Sequence, residues 1–227
     1  MHLSVVMPVY NEAGTVCEII ERVLAVPLDK ELIVVNDGST DSTAEALNAF
    51  ANREGVRVFH SPINLGKGAA VRIGLTMVRG DIVIIQDADL ELNPEEYPQL
   101  CSPIERGEAD IVFGSRFMGN AHHLSSTSYW GNRFLTSLTN LMFGGKLTDM
   151  ETCYKVFPAK IIPGLELKSL RFEFEPEMAA KFLSRRYRVV EVPISFRPRS
   201  TSEGKKMRWH DGFTAVLTLV KVRFGLL

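Results

Sequence analysis

The chain alternates short apolar runs with segments in which apolar residues recur every three or four positions. The runs 3–10 (LSVVMPVY), 31–37 (ELIVVND), 56–61 (VRVFHS) and 81–89 (DIVIIQDAD) predict strands. Between them, residues 12–26, 42–54 and 68–78 carry helical spacing. Ser42 with Glu45 three residues on reads as a capping box at the start of the second helix. Strand–helix alternation of this kind predicts an α/β domain with a mostly parallel central sheet and helices on both faces. In such sheets ligands sit beyond the carboxyl ends of the strands.

The second half is patterned differently. IVFGSRF (111–117) predicts a further strand, and a polar stretch runs from Met118 to Asn132. An amphipathic helix is expected over 133–145, ended by glycines. ETCYKVFP (151–158) fits a strand or a turn, 176–187 a helix, and 188–198 a strand running into a Pro/Arg segment. The stretch Phe213–Leu227, interrupted by Lys221 and Arg223, reads as an amphipathic helix packed on the core or lying on a membrane surface. No repeat or linker divides the chain. One domain over 1–227 is expected, with a nucleotide-binding half (1–115) and an acceptor-side half (116–227).

Composition adds compartment and charge. Of 227 residues, 45 % are apolar and 23 % charged, which suits a globular protein with a sizeable core. The net charge of −1 hides an asymmetry. From Lys181 to Leu227 there are 11 basic and 3 acidic residues, against 15 basic and 24 acidic before them. The basic part calls for an anionic partner or is a solvated face. Cys17, Cys101 and Cys153 are too far apart for a zinc site or a disulfide framework, and reduced core thiols in a cytoplasmic protein are expected. The first residues lack a charged leader before an apolar run, so no signal peptide is expected. No run approaches the roughly 20 apolar residues of a membrane span.

Four segments carry candidate chemistry. In DADLE, Asp87 and Asp89 follow a buried strand, and in extended backbone their side chains point the same way, with Glu91 next. Carboxylates so close need a hard divalent cation, Mg²⁺ or Mn²⁺, to offset their repulsion. A helix N-terminus explains Glu95 and Glu96 but not two acids on a strand exit. In NDGSTD, Asp37 can accept from the N–H edge of a base or bond its own turn. In NLGKGAA, the glycines around Lys67 open a helix, as an anion site or as structural glycines. The spacing is not that of a P-loop, and no dinucleotide fingerprint is present. RPRSTSEGKKMRW gathers Arg197, Arg199, Lys205, Lys206 and Arg208, which fits a phosphate clamp better than a nucleic-acid surface. No nucleic-acid partner is expected.

In the order PVYNE, NDGSTD, NLGKGAA and DADLE, with FGSRF, TDMETCYKVF and EVPISF after them, the chain resembles the family 2 glycosyltransferases of the GT-A fold. Within that family it is most similar to the polyprenyl-phosphate sugar transferases. The resemblance implies that Pro8, Tyr10 and Glu12 cradle a nucleotide and that Val35 and Asp37 line the base and ribose pocket. Lys67, Asp87, Ala88, Arg199 and Lys205 would complete the donor site, and Asp87, Asp89 and Glu91 would hold the metal. Arg116 would contact the acceptor phosphate or the donor. Asp149 matches an acid proposed as base or acceptor positioner. A phosphate monoester, with its second pKa of about 6, hardly needs deprotonating. Asp149 is therefore expected to orient Arg133 or another cation that holds the acceptor. Where relatives have Gln, this chain has Glu91, and Ser-Glu-Gly-Lys (202–205) replaces the commoner Gly-Glu-Ser-Lys.

The implied activity is an inverting, metal-dependent transfer of a sugar from a nucleotide donor, GDP-mannose favoured, to a polyprenyl phosphate. The implied place is the cytoplasmic face of a membrane, peripherally or through a membrane subunit. UDP-glucose as donor, a saccharide or protein acceptor, or a non-catalytic nucleotide-sugar-binding subunit are the competing readings.

Overall fold

The computed structural model describes residues 1–119, 126–199 and 209–227. Seven strands form one sheet: β1 (Leu3–Val9), β2 (Lys30–Asp37), β3 (Val56–Ser61), β4 (Ile82–Ile85), β5 (Ile111–Ser115), β6 (Lys155–Pro158) and β7 (Val189–Pro193). The helices are α1 (Val16–Ala25), α2 (Thr43–Asn48), α3 (Lys67–Thr76), α4 (Tyr97–Glu105), α5 (Ser126–Phe143), α6 (Ile162–Leu165), α7 (Phe174–Ser184) and α8 (Trp209–Arg223).

The strand order is β3-β2-β1-β4-β6-β5-β7. β1, β2, β3 and β4 pair in parallel, and β6 runs antiparallel to both its neighbours. β5 and β7 are again parallel. The alternation in the first half therefore delivers the expected α/β architecture. The strand order reverses direction between β1 and β4, which leaves a crevice at their carboxyl ends. β1 is buried along its whole length, as parallel strands covered on both faces must be. Helix α3 comes close to it because residue 74 is glycine: a Cβ there would lie 2.5 Å from Val6 Cγ1.

Several boundaries differ from the sequence reading. β4 ends at Ile85, not at Asp89. Gln86 is fully buried, and its Oε1 accepts from the hydroxyls of Tyr97 and Tyr154, each at 2.7 Å. Those bonds hold the glutamine side chain in the core, and its Nε2 donates to the Asp87 carbonyl at 2.9 Å. The chain then turns, with Leu90 at φ 62°. The first helix begins at Val16, because Glu12 to Thr15 form a turn in which Val16 N donates to Glu12 O. Ser42 makes no side-chain cap; Asp41 Oδ1 takes the Thr43 N–H at 3.0 Å instead. α5 opens inside the stretch read as polar, at Ser126. Of the expected core thiols, Cys101 and Cys153 are buried and Cys17 is exposed.

The C-terminal stretch is a helix, as its pattern implies. Ala215 and Leu219 of α8 are buried, whereas Phe213 is 66 % exposed. α5 packs beside α8 and leaves Trp130, Phe134 and Leu141 exposed. Both helices thus carry exposed large apolar side chains. Among the described residues no helix is long and apolar enough to cross a membrane.

Candidate active site

A cleft of about 700 Å³ opens at the carboxyl ends of β1, β2 and β4. Pro8, Tyr10 and Glu12 line it from the β1 exit, and Asp37 from the end of β2. Asp87, Ala88, Asp89 and Glu91 line it from the β4 exit. Lys67 enters from the start of α3, and Arg116 and Arg199 from the second half of the chain.

The acidic side chains are not bare. Lys67 Nζ lies 2.8 Å from Asp87 Oδ1 and 3.1 Å from Glu175 Oε1. Burial alone would lower the Lys67 ammonium, but Asp87 and Glu175 hold it well above the ordinary lysine value. Asp87 answers in kind: burial alone would raise it, and Lys67 keeps it below the ordinary value. Glu175 also pairs with Lys155, which is fully buried. A chain of alternating charges thus runs from Asp87 into the core.

Asp89 faces another cation. Its Oδ2 lies 3.0 Å from Arg199 Nη2. The same guanidinium reaches Glu12 through two bonds, Nη1 to Oε2 at 3.0 Å and Nη2 to Oε1 at 2.9 Å. Burial, reinforced by the charges of Asp87 and Glu91, pushes the Asp89 carboxyl up to about 7 despite Arg199. The Thr15 hydroxyl sits between Glu12 Oε2 and the Ala88 carbonyl, tying the β1 exit to the β4 exit.

Three placements correct or narrow the sequence reading. Asp87, Asp89 and Glu91 do not form a three-carboxylate cage, and no group of three metal-ligating side chains is assembled among the described residues. Because the backbone turns after Ile85, the side chains diverge. Asp87 points to Lys67, Asp89 to Arg199, and Glu91 Oε1 accepts the Arg199 N–H at 2.9 Å. Second, of the cations left open for Asp149, its partner is Arg116 and not Arg133. The Asp149 carboxylate grips Arg116, with Nε to Oδ2 at 2.7 Å and Nη2 to Oδ1 at 2.8 Å, while Arg133 donates to the Thr148 carbonyl at 3.4 Å. Asp149 is fully buried and Arg133 is not among the cleft lining. Third, Val35 is fully buried toward α3, with its Cγ2 3.4 Å from where a Gly74 Cβ would stand, and it does not line the cleft.

Asp37 holds a loop. Its Oδ1 accepts from Leu65 N at 2.9 Å, and its Oδ2 from Gly66 N at 2.7 Å and Asn64 Nδ2 at 2.9 Å. Burial nonetheless raises its pKa above the ordinary value. The glycines of NLGKGAA are structural: Gly66 sits at φ 106°, and a Cβ on Gly68 would stand 2.7 Å from the Ser169 carbonyl oxygen. Lys205 lies outside the described residues. The sequence reading missed Gln86, Glu151, Lys155 and Glu175. No local pattern marks them, because each becomes part of the site only by long-range packing.

The donor set has a definite chemistry. Asp87 and Asp89 each bring carboxylate oxygens to the cleft, the donor type that suits a hard divalent cation completing its shell with phosphate oxygens and water. Burial raises Asp89 most, and the neighbouring Asp87 and Glu91 charges that add to it are charges such a cation would offset.

Comparison with known proteins agrees with this architecture. The family described as Glycosyl transferase family 2 matches residues 4–163. The chain is 32 % identical to the low-salt glycan biosynthesis hexosyltransferase Agl6 of Haloferax volcanii, over 94 % of this chain and 52 % of that one. It is 30 % identical to the dodecaprenyl-phosphate galacturonate synthase of Rhizobium johnstonii, over 99 % of this chain and 67 % of that one. With the dolichol-phosphate mannosyltransferase of Pyrococcus furiosus it shares 31 % identity, over 90 % and 59 % respectively. The chain therefore spans between about half and two thirds of the length of these relatives. Among solved structures, glucosyl-3-phosphoglycerate synthase from Mycobacterium tuberculosis, in complex with Mn²⁺, UDP and glucosyl-3-phosphoglycerate, superposes with a TM-score of 0.71. It is 24 % identical, covers 98 % of this chain and 80 % of its own, and shares the fold. By its matched family, its relatives and its GT-A architecture, the chain belongs to glycosyl transferase family 2.

Proposed function

We propose that the chain is an inverting sugar transferase that moves a hexosyl group from a nucleoside-diphosphate donor to a polyprenyl phosphate. The observation that carries this reading is the cleft at the β1/β4 reversal, where Asp87 and Asp89 meet Lys67 and Arg199. The printed activities of the Rhizobium and Pyrococcus relatives support a polyprenyl-phosphate acceptor. GDP-mannose is the favoured donor and UDP-glucose the alternative. Lys205 is included in the donor site by its place in the basic segment.

Asp87 and Asp89 would hold Mg²⁺ or Mn²⁺; the Mycobacterium structure contains Mn²⁺ with UDP. Such a cation, when bound, neutralises charge on a departing nucleoside diphosphate. Arg199 and Lys67 contribute positive charge at the same place, preorganised in a low-dielectric cleft. Arg116 is held rigid by Asp149 and presents a cation from the opposite half for the acceptor phosphate. With the acceptor oxygen already anionic, one displacement at the anomeric carbon needs no enzyme nucleophile and no strong base.

The acceptor sits in a bilayer, and the exposed side chains of Trp130, Phe134, Phe213 and Phe224 on and after the paired helices α5 and α8 fit a peripheral contact with lipid. Lys221 and Arg223 on the same helix favour an anionic surface at the cytoplasmic face.

The test is transfer of label from GDP-mannose or UDP-glucose to a polyprenyl phosphate with Mn²⁺ or Mg²⁺, counted in the organic phase, with Asp89→Asn as control. Label from one donor that disappears in the variant is the expected result. Binding of a nucleotide sugar without transfer to any acceptor would instead favour a non-catalytic subunit.

A further inference from the structure

One cleft-lining acid is unused by this scheme. Glu151 lies in the turn between Asp149 and β6 and lines the cleft. Its Oε1 is enclosed, and it has no hydrogen-bond partner. No ion pair reaches its carboxylate among the described residues, although two cations are close enough to act on it electrostatically, Arg116 and Lys155. Both are already engaged. Arg116 is gripped by Asp149 through two bonds, and Lys155 is held by Glu175 and by the Thr152 carbonyl. An enclosed carboxyl oxygen without a partner costs on the order of 1–3 kcal/mol and calls for an explanation; because Oε1 is closed off, a group in the cleft meets the carboxyl at its other oxygen.

The surrounding charges narrow what that group is. A carboxylate repels a diphosphate and a phosphate monoester, so neither phosphate-bearing end of the substrates suits it. The neutral, hydroxyl-rich part of the reacting pair does. We infer that Glu151 is a specificity-determining residue that takes a hydroxyl of the donor's hexosyl group through the carboxyl oxygen other than the enclosed Oε1; this rests on the transferase reading above. A carboxylate accepting from a sugar hydroxyl makes a charge-assisted hydrogen bond, stronger than a neutral one. Burial, with the Glu175 charge added, pushes the Glu151 carboxyl up to about 7. The group can therefore also bond a hydroxyl in its protonated form, donating with its O–H. A site built around such a bond rejects the analogue lacking the hydroxyl far more strongly than an apolar pocket rejects a missing methylene.

The experiment compares wild type, Glu151→Ala and Glu151→Gln. Whichever of GDP-mannose and UDP-glucose the wild type uses is paired with its monodeoxy sugar analogues, and kcat/KM for transfer to a polyprenyl phosphate is measured. Binding of GDP and UDP, which lack the sugar, is measured by calorimetry, and thermal melts check folding. The wild type is expected to lose about 100-fold or more on at least one deoxy analogue. In Glu151→Ala the parent donor should fall by a similar factor and the discrimination shrink to within about fivefold, with nucleoside-diphosphate affinity held within about twofold. Glu151→Gln, which keeps one acceptor oxygen, should recover part of the loss. Unchanged discrimination in Glu151→Ala, or a loss of GDP and UDP affinity as large as the loss in transfer, overturns the inference while leaving the transferase reading standing. A wild type that transfers from neither donor overturns both.

Discussion

Arg199 lies with its guanidinium between Glu12 and Asp89, 2.9 Å from Glu12 Oε1 and 3.0 Å from Asp89 Oδ2 through the same nitrogen. One cation thus joins the loop after β1, the turn after β4 and the segment after β7, which are 187 residues apart at the extremes. Replacing it removes the cation shared by two adjacent cleft carboxylates. Arg199→Ala should lower kcat/KM for transfer by about 10²–10³. Arg199→Lys should recover only part of this, because an ammonium cannot reproduce the forked contact. Steady-state kinetics on the three proteins checks the ordering, and equal activity in the alanine variant would remove Arg199 from the donor site.

The Arg116–Asp149 pair predicts a different signature. Asp149 is fully buried and its two oxygens are spent on Arg116. Asp149→Asn should leave the guanidinium without its counter-charge and destabilise the fold by about 3 kcal/mol, readable in urea unfolding. Transfer should fall by a similar factor at pH 6 and pH 8, since the lesion is lost positioning. A loss confined to acidic pH would restore a role for Asp149 as base.

Glu151 sets a pH dependence of stability. Its carboxyl is raised from 4.5 to about 7 by burial and by the Glu175 charge. Between those values the native state holds a proton that the unfolded chain has released. Stability therefore declines as pH rises from about 4.5 to about 7, by at most about 1.4 kcal/mol per pH unit from this group. Asp89 pulls in the same direction, so the readout is the difference between proteins. Urea unfolding at pH 5, 6 and 7.5 should show a shallower decline in Glu151→Gln than in wild type.

Gly66 carries a backbone prediction. At φ 106°, with Leu170 O 2.5 Å from any added Cβ, the position admits no other residue without moving the 170–171 segment. Gly66→Ala should cost roughly 1–3 kcal/mol or more in unfolding free energy. It should also weaken nucleotide binding, because Lys67 and the Asp37-held loop move with it. Gly14→Ala, where a Cβ meets open space, is the matched control.

Metal dependence is tested on binding. Calorimetry of GDP and UDP should show affinity that drops by about tenfold or more when Mn²⁺ is replaced by chelator, and Asp89→Asn should abolish that difference. Metal-independent affinity in wild type would leave Lys67 and Arg199 as the sole compensation for the diphosphate.

The strand–helix alternation of the first half fixed the α/β class because the periods differ: a strand buried on both faces is a continuous apolar run, whereas a helix alternates every three to four residues. The same runs located Pro8, Asp37 and Asp87 at strand exits, and ligands gather there in any open parallel sheet. The direction of each side chain was not legible. Whether Asp87 and Asp89 converge depends on where β4 ends, and that is decided by two tyrosine hydroxyls, 11 and 68 residues away, closing on Gln86. The partner of Asp149 was likewise open among several cations until the pairing of β5 and β6 set Arg116 beside it. Glu175, Lys155 and Glu151 carry no sequence signal, since a buried charge is defined by what surrounds it. Local pattern determines which segments become strands and helices; long-range packing alone decides which charges meet, because the energy of bringing a charge out of water depends on the partners found there.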